Sequence, residues 1–157
     1  MGRLLDAAID FLDGDGWQYE IQPARHDTEG PRVHFRFSGE NAQYDCWIVC
    51  YEDTERVCML SIFPLVIPED KRLRVAEYLM RANFGILVGN FELDFRDGEV
   101  RMKTSADVED IPLTPTFMKN LLVANLGTAD RYFPGLGKVL FAGMAPADAI
   151  AVLRELQ

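Results

Sequence analysis

NFGILVGNFELDFRDGEVRMK, residues 83–103, decides the fold. Asp97-Gly98 is the signature of a two-residue type I′ turn, because both central residues of that turn need positive φ. Counting outward pairs Arg96 with Glu99. Phe95 then faces Val100, Leu93 faces Met102 and Phe91 faces Thr104. On the other face Asp94 meets Arg101 and Glu92 meets Lys103. One face of the hairpin is apolar and the other is a ladder of opposite charges. Glu92, Asp94 and Asp97 are of the type that serves acid–base or metal chemistry. The cross-strand cations account for the first two and the turn accounts for the third.

The segments around the hairpin read outward from it. Upstream, Pro68 with Glu69 and Asp70 starts a helix that runs to Gly85. Leu73, Ala76, Met80 and Phe84 share one face of it, widened by Val75, Leu79 and Ala82. Further upstream, Ala42–Tyr51 and Arg56–Val66 are long strands. Tyr44, Cys46, Ile48 and Cys50 alternate with Asp45, Trp47, Val49 and Tyr51, and both sets are mostly apolar. Val57, Met59, Ser61 and Phe63 alternate with Cys58, Leu60 and Ile62 in the same way. A strand apolar on both sides is covered on both sides. Val33–Ser38 is a third strand, and Trp17–Gln22 reads as a further short one. The first helix spans Arg3–Leu12, with Leu4, Leu5, Ala8, Ile9 and Leu12 on one stripe. Downstream, Val108–Leu113 links to a helix with Thr114 as N-cap and Pro115 at its first position. That helix is expected to end near Gly127 or Phe133-Pro134. Pro146 starts a last helix. The order is α-β-β-β-α-β-β-α(α): an α+β domain with an antiparallel sheet of about five strands flanked by helices.

At 157 residues the chain is read as one domain, residues 1–157, large enough to bury roughly 70% of its unfolded surface. A net charge of −9 argues against general nucleic-acid binding and against anionic membrane surfaces. No apolar run approaches the ~20 residues of a membrane span, and Asp6 and Asp10 break the pattern of a signal peptide. The expected location is the cytoplasm. Cys46, Cys50 and Cys58 are an odd set in a reducing compartment and read as buried structural thiols, Cys58 lying near Cys50 across the hairpin. The DGDG stretch at residues 13–16 lacks the ligands of a calcium loop. Gly135-Leu136-Gly137 lacks the spacing of a phosphate loop. A nucleophile–His–acid triad would have to draw on His26 or His34, and Cys50 with His34 is conceivable across neighbouring strands, but nothing in the sequence marks an activated thiolate. The sequence therefore offers no catalytic residues, no cofactor site and no metal site.

The phrases from Ile67 to Ser105 and from Leu113 to Ile150 resemble the bacterial YbjN family. The resemblance lies in the Asn83-Phe84 helix end, Gly89, Phe91-Glu92-Leu93-Asp94 before Asp97-Gly98, Asp130-Arg131-Tyr132-Phe133-Pro134 and Ala145-Pro146-Ala147-Asp148-Ala149. It implies a fold like that of type III secretion chaperones, a homodimer, a sensory or stress-regulatory role, and no enzymatic activity. The two-sided apolar sheet and the absence of chemistry point the same way. The leading expectation is a non-enzymatic protein-binding module, chaperone-like or scaffold, whose partners are a second copy and an unknown protein client. Its candidate surface is Trp47, Val49, Tyr51, Met59 and Phe63. The alternative is a small-molecule binder or enzyme with a pocket between sheet and helices, its polar groups drawn from Asn83, Asn125, Arg131 and Tyr132.

Overall fold

A computed structural model describes residues 2–156. Helix α1 (Arg3–Gly14) is followed by strands β1 (Tyr19–Gln22), β2 (Arg32–Ser38), β3 (Gln43–Tyr51) and β4 (Arg56–Val66). Helix α2 (Arg72–Asn83), the hairpin β5 (Asn90–Leu93) and β6 (Glu99–Asp107), and helices α3 (Pro115–Phe141) and α4 (Pro146–Glu155) complete the chain. The six strands form one antiparallel sheet in the order β1-β2-β3-β4-β6-β5. The sixth strand is the short β1. Helices α1, α2 and α3 cover one face of the sheet and α4 packs on α2 and α3; beneath them Val33, Phe35, Tyr44, Ile48, Met59 and Met102 build the core. Pro64 sits where the β4–β6 register shifts between Ile62 and Val66. A residue without an N–H is tolerated at such an irregularity.

The hairpin differs from the two-residue expectation. Phe91 pairs with Met102, Glu92 with Arg101 and Leu93 with Val100. Phe95–Gly98 form a four-residue loop closed by Asp94 N–H to the Glu99 carbonyl at 2.9 Å and Gly98 N–H to the Asp94 carbonyl at 2.8 Å. The Asp94 carboxylate holds the loop open by accepting Arg96 N–H at 2.8 Å and pairing with the Arg96 guanidinium, not with Arg101. Gly98 alone takes positive φ, and its carbonyl accepts the Ile67 N–H, which docks the loop on the end of β4. The register is moved by two residues, an even number, so Phe91, Glu92 and Leu93 keep their expected faces, while Phe95 leaves the ladder for the loop and is exposed.

Helix α3 runs straight through the expected stops at Gly127 and Pro134. Proline normally breaks a helix because its ring leaves the carbonyl four residues back without a donor. Here that carbonyl is Asp130 O, and it accepts from Asn41 Nδ2 at 3.0 Å. The Asp130 carboxylate accepts from Glu40 N–H, Asn41 N–H and Tyr44 O–H as well. The β2–β3 turn thus supplies the hydrogen bond that Pro134 removes. The next residue, Gly135, leaves space for the Tyr78 ring, whose O–H donates to Tyr132 O.

Asn125 fastens the middle of α3 to the sheet. It is fully buried. Its Nδ2 donates to Met59 O at 2.9 Å and to Met102 O at 3.2 Å, on β4 and β6. Its Oδ1 accepts from Ser61, and Thr104 Oγ1 reaches both Asn125 Nδ2 and Leu121 O. An unpaired buried polar group is costly, so this network fixes one seating of α3. Asn125→Leu is expected to lower the unfolding free energy by about 2–3 kcal/mol in urea titration, clearly more than Ser61→Ala. Equal effects of the two substitutions would show that the network does not centre on Asn125.

Candidate functional site

The five residues expected to form one surface do not lie together. Trp47, Val49 and Tyr51 are on the outer face of the sheet, away from the helices. Met59 and Phe63 point the other way, 1% and 4% exposed in the core. Phe63 packs there against Tyr44, Phe91 and Phe133. The strand alternation assigns Met59 and Phe63 to the Tyr44–Cys50 side, and a surface drawn across both faces is not physically continuous.

The four polar groups expected to line an inner pocket are dispersed. Asn125 is spent on the sheet, as described. Asn83 accepts from Phe91 N–H at 2.7 Å and donates to Phe91 O, which ends α2 on the edge strand. Tyr132 meets Phe91 edge to face, and the Arg131 guanidinium lies over the Tyr132 ring. The thiols are divided between the faces. Cys46 and Cys50 are buried on the helix side, and burial pushes both up to about 12. Cys58 pairs with Val49 and lies on the outer face, so it does not sit beside Cys50, and burial pushes it up to about 11. His34 is likewise on the outer face, opposite to Cys50. The Cys50–His34 pairing is therefore excluded by geometry. Thiols raised this far are thiol rather than thiolate at neutral pH and lack nucleophilic character.

The outer face carries the most organised surface chemistry. Trp47 lies along the sheet with the Arg32 guanidinium 4.4 Å from its ring centroid and the His34 ring at 4.4 Å. His34 and Arg36 share the Asp45 carboxylate. Towards β6, Glu92 takes Arg101 at 2.6 Å and also Lys103. Burial alone would raise the Glu92 carboxyl, but hydrogen bonds from Lys103 and Arg101 outweigh it and hold the group below its ordinary range. Between these two clusters lies a concavity of about 780 Å³ floored by Val49, Cys58 and Leu60. The β1–β2 loop and the tip of the β5–β6 hairpin form its walls. Gly30 N–H donates to Cys50 O at 2.8 Å and anchors the loop wall.

A second surface lies on α2, where the one broad apolar face expected from the sequence is two. The side of α2 that packs on the body is Val75, Tyr78, Leu79 and Ala82. Leu73, Met80, Phe84 and Leu87 point into solvent, 80%, 69%, 82% and 98% exposed. The signal was present in the sequence. An amphipathic helix of one domain shows one apolar stripe, and α2 shows two on opposite sides. Lys71 Nζ bonds the Leu140 carbonyl, which brings exposed Phe141 to the Leu73 end. Arg154 donates to Phe84 O, which brings exposed Leu156 to the other end.

These features define an α+β domain of one antiparallel sheet with its helices on one face, organised around surfaces. No helix among the described residues is long and apolar enough to cross a membrane. The chain belongs to the YbjN family, whose sequence profile, described as "Putative bacterial sensory transduction regulator", matches residues 5–138. No curated protein matches the sequence. Among solved structures, the fold is similar to that of YbjN from E. coli, described as "a putative transcription regulator", with a TM-score of 0.58 and 15% identity, over 80% of this chain and 85% of that one.

The Glu92 cluster makes a pH-dependent contribution with a defined sign. Its folded-state pKa lies below the ordinary 4.5, so the stabilisation is complete above that pH and is lost as pH falls through the folded value. Glu92→Gln is expected to flatten the acid limb of the stability–pH curve below about pH 4.5 and to cost about 1 kcal/mol at neutral pH, read by urea unfolding at a series of pH values. Identical acid limbs for the two proteins would count against the assignment.

Proposed function

We propose that this protein is a non-enzymatic, protein-binding regulatory module, scaffold-like or chaperone-like, that works in the cytoplasm as a homodimer. The observation that carries this reading is the solvent-facing stripe of α2. Monomeric proteins seldom expose a contiguous apolar patch of this kind, and such patches mark interaction surfaces. Leu73, Met80 and Phe84 recur at i, i+7 and i+11, spanning about 16 Å of helix at 1.5 Å per residue. Glu77 interrupts the stripe, but its carboxylate is paired with Arg81 at 2.8 Å on the same helix. The stripe therefore brings little net charge into a contact with itself. Two copies of α2 crossing antiparallel about a two-fold axis set Leu73 of each against the Phe84 end of its partner. One patch used twice is the usual geometry of a homodimer.

The family description supports a regulatory reading without naming a target. The dimer surface is here drawn on α2 and not on the outer sheet face. The outer-face residues are buried (Val49) or half-buried (Trp47, Tyr51), whereas the α2 stripe is exposed. A pocket between sheet and helices is not favoured, since the polar groups that would have built it are engaged in packing.

The combined substitution Met80→Asp and Phe84→Asp tests the proposal. It is expected to convert a dimer into a monomer in light scattering over a concentration series. Helix content and the urea midpoint should be nearly unchanged, since both side chains are exposed, with any stability change within about 0.5 kcal/mol. A wild-type monomer at all concentrations, or a variant that remains dimeric, would sink the α2 assignment.

A further inference from the structure

We infer that the concavity on the outer face of the sheet is a binding site for a small organic acid, one carboxylate attached to an apolar body. The inference is independent of the α2 dimer surface. Its central group is Arg32. This guanidinium is held over Trp47 at 4.4 Å, and its Nε is buried without a hydrogen-bond acceptor. No carboxylate pairs with Arg32 among the described residues, in a protein where most other outer-face cations are paired. Arginine presents a planar fork that matches a carboxylate with two parallel hydrogen bonds. Stacking on an indole fixes the plane of that fork before a ligand arrives, so less freedom is lost on binding.

The acids around the concavity are already committed elsewhere. Glu92 is held by Arg101 and Lys103, and Asp94 by Arg96. Glu99 lies 3.9 Å from Arg101. Asp97 accepts the Glu99 N–H, and Glu29 accepts the Arg25 N–H and lies beside the Tyr51 hydroxyl. These bonds leave the stacked Arg32 guanidinium without a carboxylate beneath the concavity, while Arg25 and His26 add basic groups at the wall formed by the β1–β2 loop. Around it the surface turns apolar through Val49, Leu60 and Cys58. A volume of about 780 Å³ is within the range that holds a small organic molecule. A guanidinium fixed by stacking and lacking a carboxylate, beside the apolar carbons of Val49 and Leu60, selects an amphipathic monocarboxylate. Inorganic phosphate would leave the floor uncovered, and a neutral alcohol would leave the guanidinium unmatched.

The test is a ¹H–¹⁵N NMR titration of the full chain with 4-phenylbutyrate, 4-phenylbutanol and inorganic phosphate as probes. The expected result is saturable shifts at the Trp47 indole N–H, the Arg32 Nε–H and the amides of Val49 and Leu60 with 4-phenylbutyrate alone. Arg32→Gln should weaken that binding about tenfold or more, and Arg32→Lys, which keeps the charge but loses the fork, should weaken it several-fold. The Arg32→Lys variant keeps the test available if Arg32→Gln fails to fold. Binding should be unchanged in the Met80→Asp, Phe84→Asp protein, which separates this site from the dimer surface. No shift at these residues, equal binding of the alcohol or of phosphate, or full affinity in both Arg32 variants would each overturn the inference.

Discussion

The seating of α3 on the sheet is the constraint on which the rest of this structure depends. Three helices and two strands pack against α3, so its rotation and its height along the sheet set the position of everything else on that face. Apolar packing alone specifies such a seating poorly, because Leu122, Leu126 and Val139 could be exchanged between neighbouring grooves at modest cost. Asn125 removes the degeneracy. Its amide reaches two strand carbonyls and two hydroxyls at once. A helix shifted by one turn would leave all of these groups buried and unpaired. The Asp130–Asn41 contact does the same at the far end, where a donor from a strand turn replaces the one that Pro134 lacks.

The sheet shows two ways of covering an apolar strand. The inner face is covered by helices in the usual manner. On the outer face Val49 is 3% exposed although no helix lies over it. There the cover is made from the stems of long charged side chains and from the loop between β1 and β2. Arginine and lysine stems shield carbon while their heads remain solvated. Opposite charges then have to be interleaved, and the Glu92–Arg101–Lys103 and Asp45–His34–Arg36 clusters are the result. Such a roof is thinner than a helix and leaves a hollow in its middle. The guanidinium of Arg32 sits in that hollow.

Function in this protein resides in what the fold leaves unpartnered. The core polar groups are satisfied and the thiols are raised by burial. Among the described residues, the outward stripe of α2 and the guanidinium on Trp47 stand out as lacking a partner. The first is apolar, extended and convex, which suits a second copy of the same helix. The second is concave and carries a guanidinium fixed by stacking, which suits a small ligand. The two surfaces are on opposite sides of the sheet, so occupancy of one does not obstruct the other.

Much of this was written in the sequence, and the reason is periodicity. Alternation in residues 33–66 separated the two sides of the strands, Tyr44, Cys46, Ile48 and Cys50 from Trp47, Val49 and Tyr51, but it did not say which side the helices cover, and the expected surface mixed the two. Thr114-Pro115 fixed the start of α3, because capping is a local interaction. Family membership was legible in the order of motifs. Tertiary structure alone decided the hairpin register, since the Asp94 side chain and the Ile67 N–H chose a four-residue loop that Asp97-Gly98 did not require. It also decided that α3 passes through Pro134, because the compensating donor, Asn41, lies more than ninety residues away in the chain. It decided which of two apolar stripes of α2 faces the core. Local pattern records that a stripe is apolar, whereas only the packing of distant segments determines which stripe they cover.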